Sequence, residues 1–203
     1  MSSDQVTVFI VDDDPKMRES LSFLLDSVGI PTQTFPGADA FLDVYDPAQP
    51  GCAIVDERMP GMSGRDLHAK LIKDGIGIPV VLITGYAEVE MAVESMKMGA
   101  VDVLRKPFSD NQLLEAVKRA LKRDRETRRT ATERSNYQVR RFSLTPRERE
   151  VMDMVAAGKP NKVMGMELGI SERTVELHRA HMMEKMEVSS VADLIRLAAR
   201  FDK

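Results

Sequence analysis

Apolar and polar positions along the first 123 residues follow two alternating periods. Short aliphatic and β-branched runs with little alternation stand at Val6-Thr7-Val8-Phe9-Ile10-Val11, Cys52-Ala53-Ile54-Val55 and Pro79-Val80-Val81-Leu82-Ile83. Such runs predict strands buried on both faces, as in a parallel sheet. Shorter strands are predicted over 32–35 and 101–105. Between these runs the period lengthens. Leu21, Leu24, Leu25 and Val28 share one helical face, behind Pro15 and three aspartates and ahead of Gly29, so a helix is predicted there. Further helices are predicted over 38–45, 64–73 and 87–98, and from a Ser109 cap along Leu113, Leu114, Val117 and Leu121. Five strands alternating with five helices predict an α/β domain over residues 1–123, its parallel sheet covered on both faces.

After Leu121 the apolar period disappears. Residues 124–142 are Arg-rich and read as a solvated linker that can also extend the preceding helix. A second pattern begins at Leu144. Thr145-Pro146-Arg147-Glu148 is a capping box with Pro in the first turn, predicting a helix to Ala157 that ends at Gly158. Helices over 161–168, from a Ser171 cap to Met186, and from a Ser190 cap to Arg200 follow. Four short helices, two joined by a tight turn at Gly169, predict a small all-α helix-turn-helix domain over 143–203.

Composition narrows the setting. The 203 residues are 43% hydrophobic, enough to bury a core in each part. A single cysteine, Cys52, excludes an internal disulfide and a thiolate metal cluster. No apolar run approaches membrane-spanning length and no signal peptide is visible, so a cytoplasmic protein is expected. The net charge of -3 is unevenly spread. Residues 1–123 hold 13 Lys and Arg against 19 Asp and Glu, residues 124–142 hold six against three, and residues 143–203 hold ten of each. The acidic first part is a poor candidate for nucleic acid, and charge alone does not nominate the neutral second part.

The candidate chemistry lies at the ends of the predicted strands. Asp12 and Asp13 follow the first, Asp56 ends the third, Thr84 ends the fourth, and Lys106 follows the fifth. In open parallel sheets this edge is where ligands bind. Crowded carboxylates repel each other and favour a hard cation, and Mg²⁺ suits oxygen ligands and an incoming phosphate. In this reading Asp56 is the nucleophile that forms an acyl phosphate, Thr84 donates to a phosphoryl oxygen, and Lys106 supplies positive charge.

Val11-Asp12-Asp13, Asp56 with Met59-Pro60-Gly61, Ile83-Thr84-Gly85 and Lys106-Pro107 together resemble a response-regulator receiver domain, in order and over about residues 4–123. The resemblance implies a flavodoxin-like fold and makes Asp56 the phosphoacceptor. It assigns Mg²⁺ to Asp13 and Asp56 directly, to the Arg58 backbone carbonyl, and to Asp12 mainly through water. It also implies phosphoryl contacts from Thr84 and Lys106, and a cis Lys106-Pro107 bond. One position departs from the family: Val103 stands where an aromatic residue usually takes part in switching. Arg58 and Tyr86 occupy the family's lifetime-tuning positions, and their bulk predicts slow self-dephosphorylation. Phosphatases with an aspartyl nucleophile carry a second Asp two residues on; Arg58 stands there, so an enzyme of that class is not expected.

Leu144-Thr145-Pro146-Arg147-Glu148, Leu168-Gly169-Ile170-Ser171 and Thr174-Val175 resemble a LuxR-type helix-turn-helix. With the receiver, this is similar to the NarL/FixJ class of response regulators. Helical spacing sets Val175, His178, Met182 and Met186 toward the core of the recognition helix. The resemblance gives base reading to Glu176, Leu177 and Ala180, whose chemistry suits cytosine N4 and thymine methyl groups. Lys162, Arg173, Arg179 and Lys185 are phosphate candidates, Thr174 belongs to the same surface, and His181 faces either groove or solvent. Val191, Leu194, Ile195 and Ala198 form the expected dimerisation stripe. The predicted protein is therefore a two-component transcription factor, more an activator than a repressor. Its expected partners are a sensor histidine kinase, promoter DNA carrying an inverted repeat, RNA polymerase and a second copy of itself. The competing reading is a phosphorylation-dependent interaction module whose C-terminal helices bind protein.

Overall fold

The structure, a computed structural model, describes residues 6–85 and 89–202. The chain divides into two compact units, Met1–Arg128 and Arg129–Lys203. In the first, strands β1 (Thr7–Val11), β2 (Thr32–Phe35), β3 (Gly51–Asp56), β4 (Val80–Thr84) and β5 (Asp102–Arg105) form one parallel sheet in the order β2-β1-β3-β4-β5. Helices α1 (Pro15–Ser27), α2 (Ala38–Val44), α3 (Gly64–Lys73), α4 (Val89–Lys97) and α5 (Asp110–Ser143) connect and follow the strands.

Strand periodicity divides the core in two. Phe9, Val11, Ala53, Val55, Val80 and Leu82 point to one side, against Phe41 of α2 and Leu67 and Leu71 of α3. Val8, Ile10, Cys52, Ile54, Val81 and Ile83 point to the other, against Leu21 and Leu25 of α1 and Leu113, Ala116 and Val117 of α5. The central strands have no polar face, which explains why their sequences do not alternate. Val28 departs from the helical stripe expected for α1. That helix closes at Ser27, so Val28 is its C-cap, bonded through its N–H, and the side chain is exposed.

The chain leaves β1 for β2 on one side of the sheet and returns to β3 on the other. The β1/β3 boundary is therefore the topological switch point, where the crevice of a doubly wound sheet opens. Val11 pairs with Val55 in register, so Asp12 and Asp56 leave the sheet side by side.

The second unit contains α6 (Pro146–Ala156), α7 (Asn161–Leu168), α8 (Glu172–Lys185) and α9 (Val191–Phe201). The expected caps form: Thr145 and Glu148 make the capping box of α6, and Ser171 and Ser190 cap α8 and α9. Between α7 and α8, Gly169 takes a left-handed conformation. A Cβ on Gly165 would sit 2.9 Å from the Ile170 carbonyl, so this turn needs a glycine at 165 as well.

Residues 124–142, read from sequence as a solvated linker that can also extend the preceding helix, lie within α5, and several of them have specific partners. Asp124 is buried; its Oδ2 accepts from the Gly51 amide at 3.0 Å and its carboxylate holds Arg128 Nε at 2.9 Å. The Arg128 guanidinium also donates to the carbonyls of Pro47, Ala48 and Gln49. In the second unit Tyr137 is buried in the core and donates to Asp202 Oδ2 at 2.7 Å. Apart from the Asp124–Arg128 pair, one helical turn apart, these contacts join residues far apart in sequence, which a local pattern cannot reveal. Removing Arg128 leaves the buried Asp124 carboxylate without its cation. Arg128→Ala is expected to lower the stability of β3, read by amide hydrogen exchange of residues 50–56, by about 2–4 kcal/mol.

Candidate phosphorylation site and nucleic-acid interface

Asp56 is the last residue of β3, and all six residues of that strand are buried. Its two oxygens are held from different directions. Lys106 Nζ donates to Oδ1 at 2.6 Å, and the Arg58 amide donates to Oδ2 at 2.8 Å. Lys106 also reaches Asp12 Oδ2 at 3.4 Å, so one ammonium serves two carboxylates. Asp12, at the end of β1, is buried, and its Oδ1 accepts from the Asp14 amide. Burial holds the Asp12 carboxyl above its usual range. The neighbouring Asp56 charge adds to this, against the pull of the Asp14 amide and Lys106. Lys106 is held above its ordinary value: burial opposes its charge, but the bond to Asp56 and the charges of Asp56 and Asp12 outweigh burial. The site thus has two crowded carboxylates and one compensating cation.

The remaining expected positions take different places. Thr84 ends β4, is buried, and its carbonyl accepts from the Lys106 amide at 2.8 Å. Lys106-Pro107 is cis, matching the expectation from resemblance. Asp13 is exposed beside the pair, and its carbonyl accepts from Arg18. Arg58 is exposed next to Met59, which packs into the core. Among the described residues no three His, Cys, Asp or Glu side chains form a ready metal-ligating group. Val103, opposite Leu82 in the sheet, packs against the core formed with α2 and α3. Tyr86 lies outside the described residues.

The loop after Asp56 is locked by contacts invisible in the sequence. The Glu57 amide donates to the Ile83 carbonyl, and its carbonyl accepts from the Gly64 amide. A Cβ on Gly64 would lie 2.4 Å from the Asp56 carbonyl oxygen, so glycine lets α3 start directly against the phosphoacceptor candidate. Glu57 itself is buried, an unexpected position for a carboxylate, with Oε1 on Arg65 Nε at 2.8 Å.

In the second unit, α8 has the predicted inner face: Val175, Met182 and Met186 are fully buried and His178 is half-buried. Arg173, Glu176, Leu177, Ala180 and His181 are exposed on α8, and Lys162 is exposed on α7, while Thr174 is half-buried. Two expected phosphate contacts have internal partners. Arg179 donates to Asn161 Oδ1 at 2.9 Å, fastening α8 to the start of α7. Lys185 is bound to buried Glu148 at 2.7 Å, fastening it to α6. On α9, Leu194 is in the core, Val191 and Ala198 pack against that core, and Ile195 is 40% exposed. Of the expected dimerisation stripe, Ile195 therefore presents the most free surface. No helix among the described residues is long and apolar enough to cross a membrane.

Comparison with known proteins matches this division. The model of the response regulator receiver domain matches residues 8–118, and that of bacterial regulatory proteins of the luxR family matches residues 142–198. Transcriptional regulatory protein FixJ of Bradyrhizobium diazoefficiens is 40% identical over 193 residues, covering 95% of this chain and 94% of that protein. Response regulator protein TmoT of Ectopseudomonas mendocina is 41% identical over 200 residues, covering 98% of this chain and 91% of its own. The solved structure of response regulator StyR aligns with a TM-score of 0.87 at 41% identity, covering 97% of this chain and all of that one. Full-length FixJ from B. japonicum aligns with a TM-score of 0.59 at 39% identity, covering 97% of both chains.

The Glu148–Lys185 pair gives a pH signature. Burial pushes the Glu148 carboxyl up, but the bonds from Lys185 and Thr145 outweigh it and hold the group below the usual carboxylate range. A depressed carboxylate contributes its full stability above the unfolded value of about 4.3, and loses it as pH falls through the lower folded value. Lys185→Met leaves Glu148 buried beside an apolar chain. At pH 7 it is expected to destabilise the second unit by about 1–3 kcal/mol. In urea denaturation followed by circular dichroism, the gap from wild type should shrink as pH falls below the unfolded carboxylate value. A gap independent of pH would remove the pair from this role.

Proposed function

Because the chain belongs to the NarL/FixJ family of response regulators, we propose that Asp56 accepts a phosphoryl group from a sensor histidine kinase and thereby controls dimerisation and promoter binding. The family membership carries the general function: a two-component regulator of transcription, with a receiver domain and a LuxR-type DNA-binding domain. The luxR match over 142–198 favours DNA over protein as the ligand of the C-terminal helices. The observation that carries the phosphorylation site is the convergence of Asp12, Asp56 and Lys106 at the β1/β3 switch point.

In this reading an Asp56 oxygen attacks the phosphorus of phosphohistidine. The new O–P bond forms as the N–P bond breaks, and the histidine nitrogen keeps the electron pair. Lys106 and the Arg58 amide orient the carboxylate, and Lys106 and Thr84 meet the phosphoryl oxygens. The donor chemistry fits Mg²⁺. Asp12 and Asp56 are adjacent hard oxygen ligands sharing one ammonium, and this ion commonly uses one or two carboxylates while keeping waters. Asp12, Asp13, Asp56 and the Arg58 carbonyl would hold it, and it would neutralise charge on the carboxylates and the phosphoryl group. The exposed bulk of Arg58 favours slow self-dephosphorylation.

On DNA, Glu176, Leu177 and Ala180 read bases, with Thr174 and His181 beside them, and Arg173 and Lys162 contact phosphates. Arg179 and Lys185 contribute through the bonds that set the angle of α8, as well as through their charge. The neutral module neutralises few phosphates, so a dimer on an inverted repeat supplies the affinity one copy lacks. Ile195 and its neighbours on α9 provide the contact, and the bound dimer activates transcription through RNA polymerase in the cytoplasm.

The test uses acetyl phosphate and Mg²⁺ as donor. Wild type should gain one phosphoryl group by mass spectrometry, and Asp56→Asn none. The acyl phosphate should persist for minutes or longer; loss within seconds would end the slow-decay reading. Genomic fragments bound with donor should share an inverted repeat. Arg173→Ala should weaken binding to all of them and reduce the salt slope by about 1, while Glu176→Lys should change which fragments are chosen. Absence of DNA binding with and without donor would return the protein-interaction reading.

A further inference from the structure

Position 103 holds valine, so no aromatic ring stands there to carry a change at Asp56 outward. Another chain of contacts leaves the same residue. Glu57 follows Asp56 directly, and its backbone is tied to the end of β4 through the Ile83 carbonyl and to the start of α3 through the Gly64 amide. Its buried carboxylate spends one oxygen on Arg65 Nε at 2.8 Å, while Oε2 has no hydrogen-bond partner among the described residues. Arg65 lies one residue beyond Gly64, in the first turn of α3, and its side chain is 40% exposed. Its other end, Nη1, stands 3.9 Å from Glu94 Oε2 on α4. One guanidinium thus spans the residue after the phosphoacceptor candidate and a helix on the far side of β4.

We propose that Arg65 is a shared cation that tethers α4 in the unphosphorylated state and releases it when Asp56 is phosphorylated. The inference rests on the reading of Asp56 as phosphoacceptor. A phosphoryl group adds negative charge and further acceptor oxygens beside Glu57. Arg65, already fastened there by Nε, is drawn toward that charge, and its longer, solvent-exposed contact with Glu94 is the one given up. Gly64 leaves no space between α3 and the Asp56–Glu57 backbone, so a small shift at the acceptor reaches Arg65 without slack. Arg65 touches no reacting atom; it is a positioning residue, and it biases α4 through a contact present in only one state.

The probe is beryllofluoride with Mg²⁺, a reversible phosphoryl mimic, titrated into the full chain while self-association is followed by analytical ultracentrifugation. A tether that favours the free state weakens apparent affinity for the mimic. Glu94→Gln is therefore expected to lower the half-saturating beryllofluoride concentration by about two- to fivefold, the range of an exposed ion pair. On an Arg65→Gln background, Glu94→Gln should add nothing, because the contact it removes is already gone. Arg65→Lys, which keeps the charge, should remain closer to wild type than Arg65→Gln. Equal half-saturation in Glu94→Gln and wild type would overturn the proposal, as would independent effects of the two substitutions, since a general change in charge is additive. A wild-type chain that does not bind the mimic, or a response to the mimic that survives Asp56→Asn, would instead strike at the phosphoacceptor reading beneath it.

Discussion

The architecture of the first unit depends on placing two carboxylates side by side at a sheet edge and keeping them charged. Asp12 and Asp56 are buried, adjacent and of the same sign; burial holds the Asp12 carboxyl above its usual range and the Asp56 charge adds to it. Lys106 resolves this by reaching both from the far end of the sheet, 50 residues beyond Asp56 in sequence. One ammonium thus stands against two carboxylates. A site with two carboxylates, one ammonium and ready-made amide donors is suited to receive a cation and a phosphoryl group together. A fully neutralised edge would have no reason to take up either.

The same logic of shared cations recurs away from this edge. Arg128 holds Asp124 and three loop carbonyls at the opposite end of β3, so that strand is fixed at its entry as well as its exit. Arg65 lies between Glu57 and Glu94, and Lys185, at the end of α8, lies on Glu148. In each case a partly exposed basic side chain covers a buried carboxylate. Such pairs specify geometry more than they add stability, because removing one partner costs far more than the intact pair contributes.

In the second unit the division between core and surface decides which side chains of α8 and α9 stay outside. The buried face of α8 leaves Glu176, Leu177 and Ala180 outside, as an element entering a groove requires. Leu194 fills the core beneath α9, which leaves Ile195 as the apolar contact the helix can offer. Half of the chain's methionines are in this unit, and Met152, Met164, Met182 and Met186 fill its centre, where flexible side chains suit the irregular gaps between short helices.

The sequence alone determined the elements and the chemistry at their ends. Both follow from local rules: unbroken apolar runs for buried strands, capping boxes for helix starts, a carboxylate where a strand meets a loop. The motif around Asp12, Asp13, Asp56, Thr84 and Lys106 was legible for the same reason, since each residue type is tied to a strand terminus. Val28 was misplaced because periodicity does not say where a helix stops, and the cap, one residue past Ser27, turned it outward. Only the tertiary structure decided the strand order, and with it that Asp12 and Asp56 adjoin. It alone showed that Arg-rich residues 124–142 contain buried Asp124 and Tyr137, and that Arg179 and Lys185 have partners inside the fold. The Gly51 amide that meets Asp124, the Asp202 that meets Tyr137, the Asn161 that meets Arg179 and the Glu148 that meets Lys185 come from elsewhere in the chain, and no short window of sequence contains both halves of those pairs.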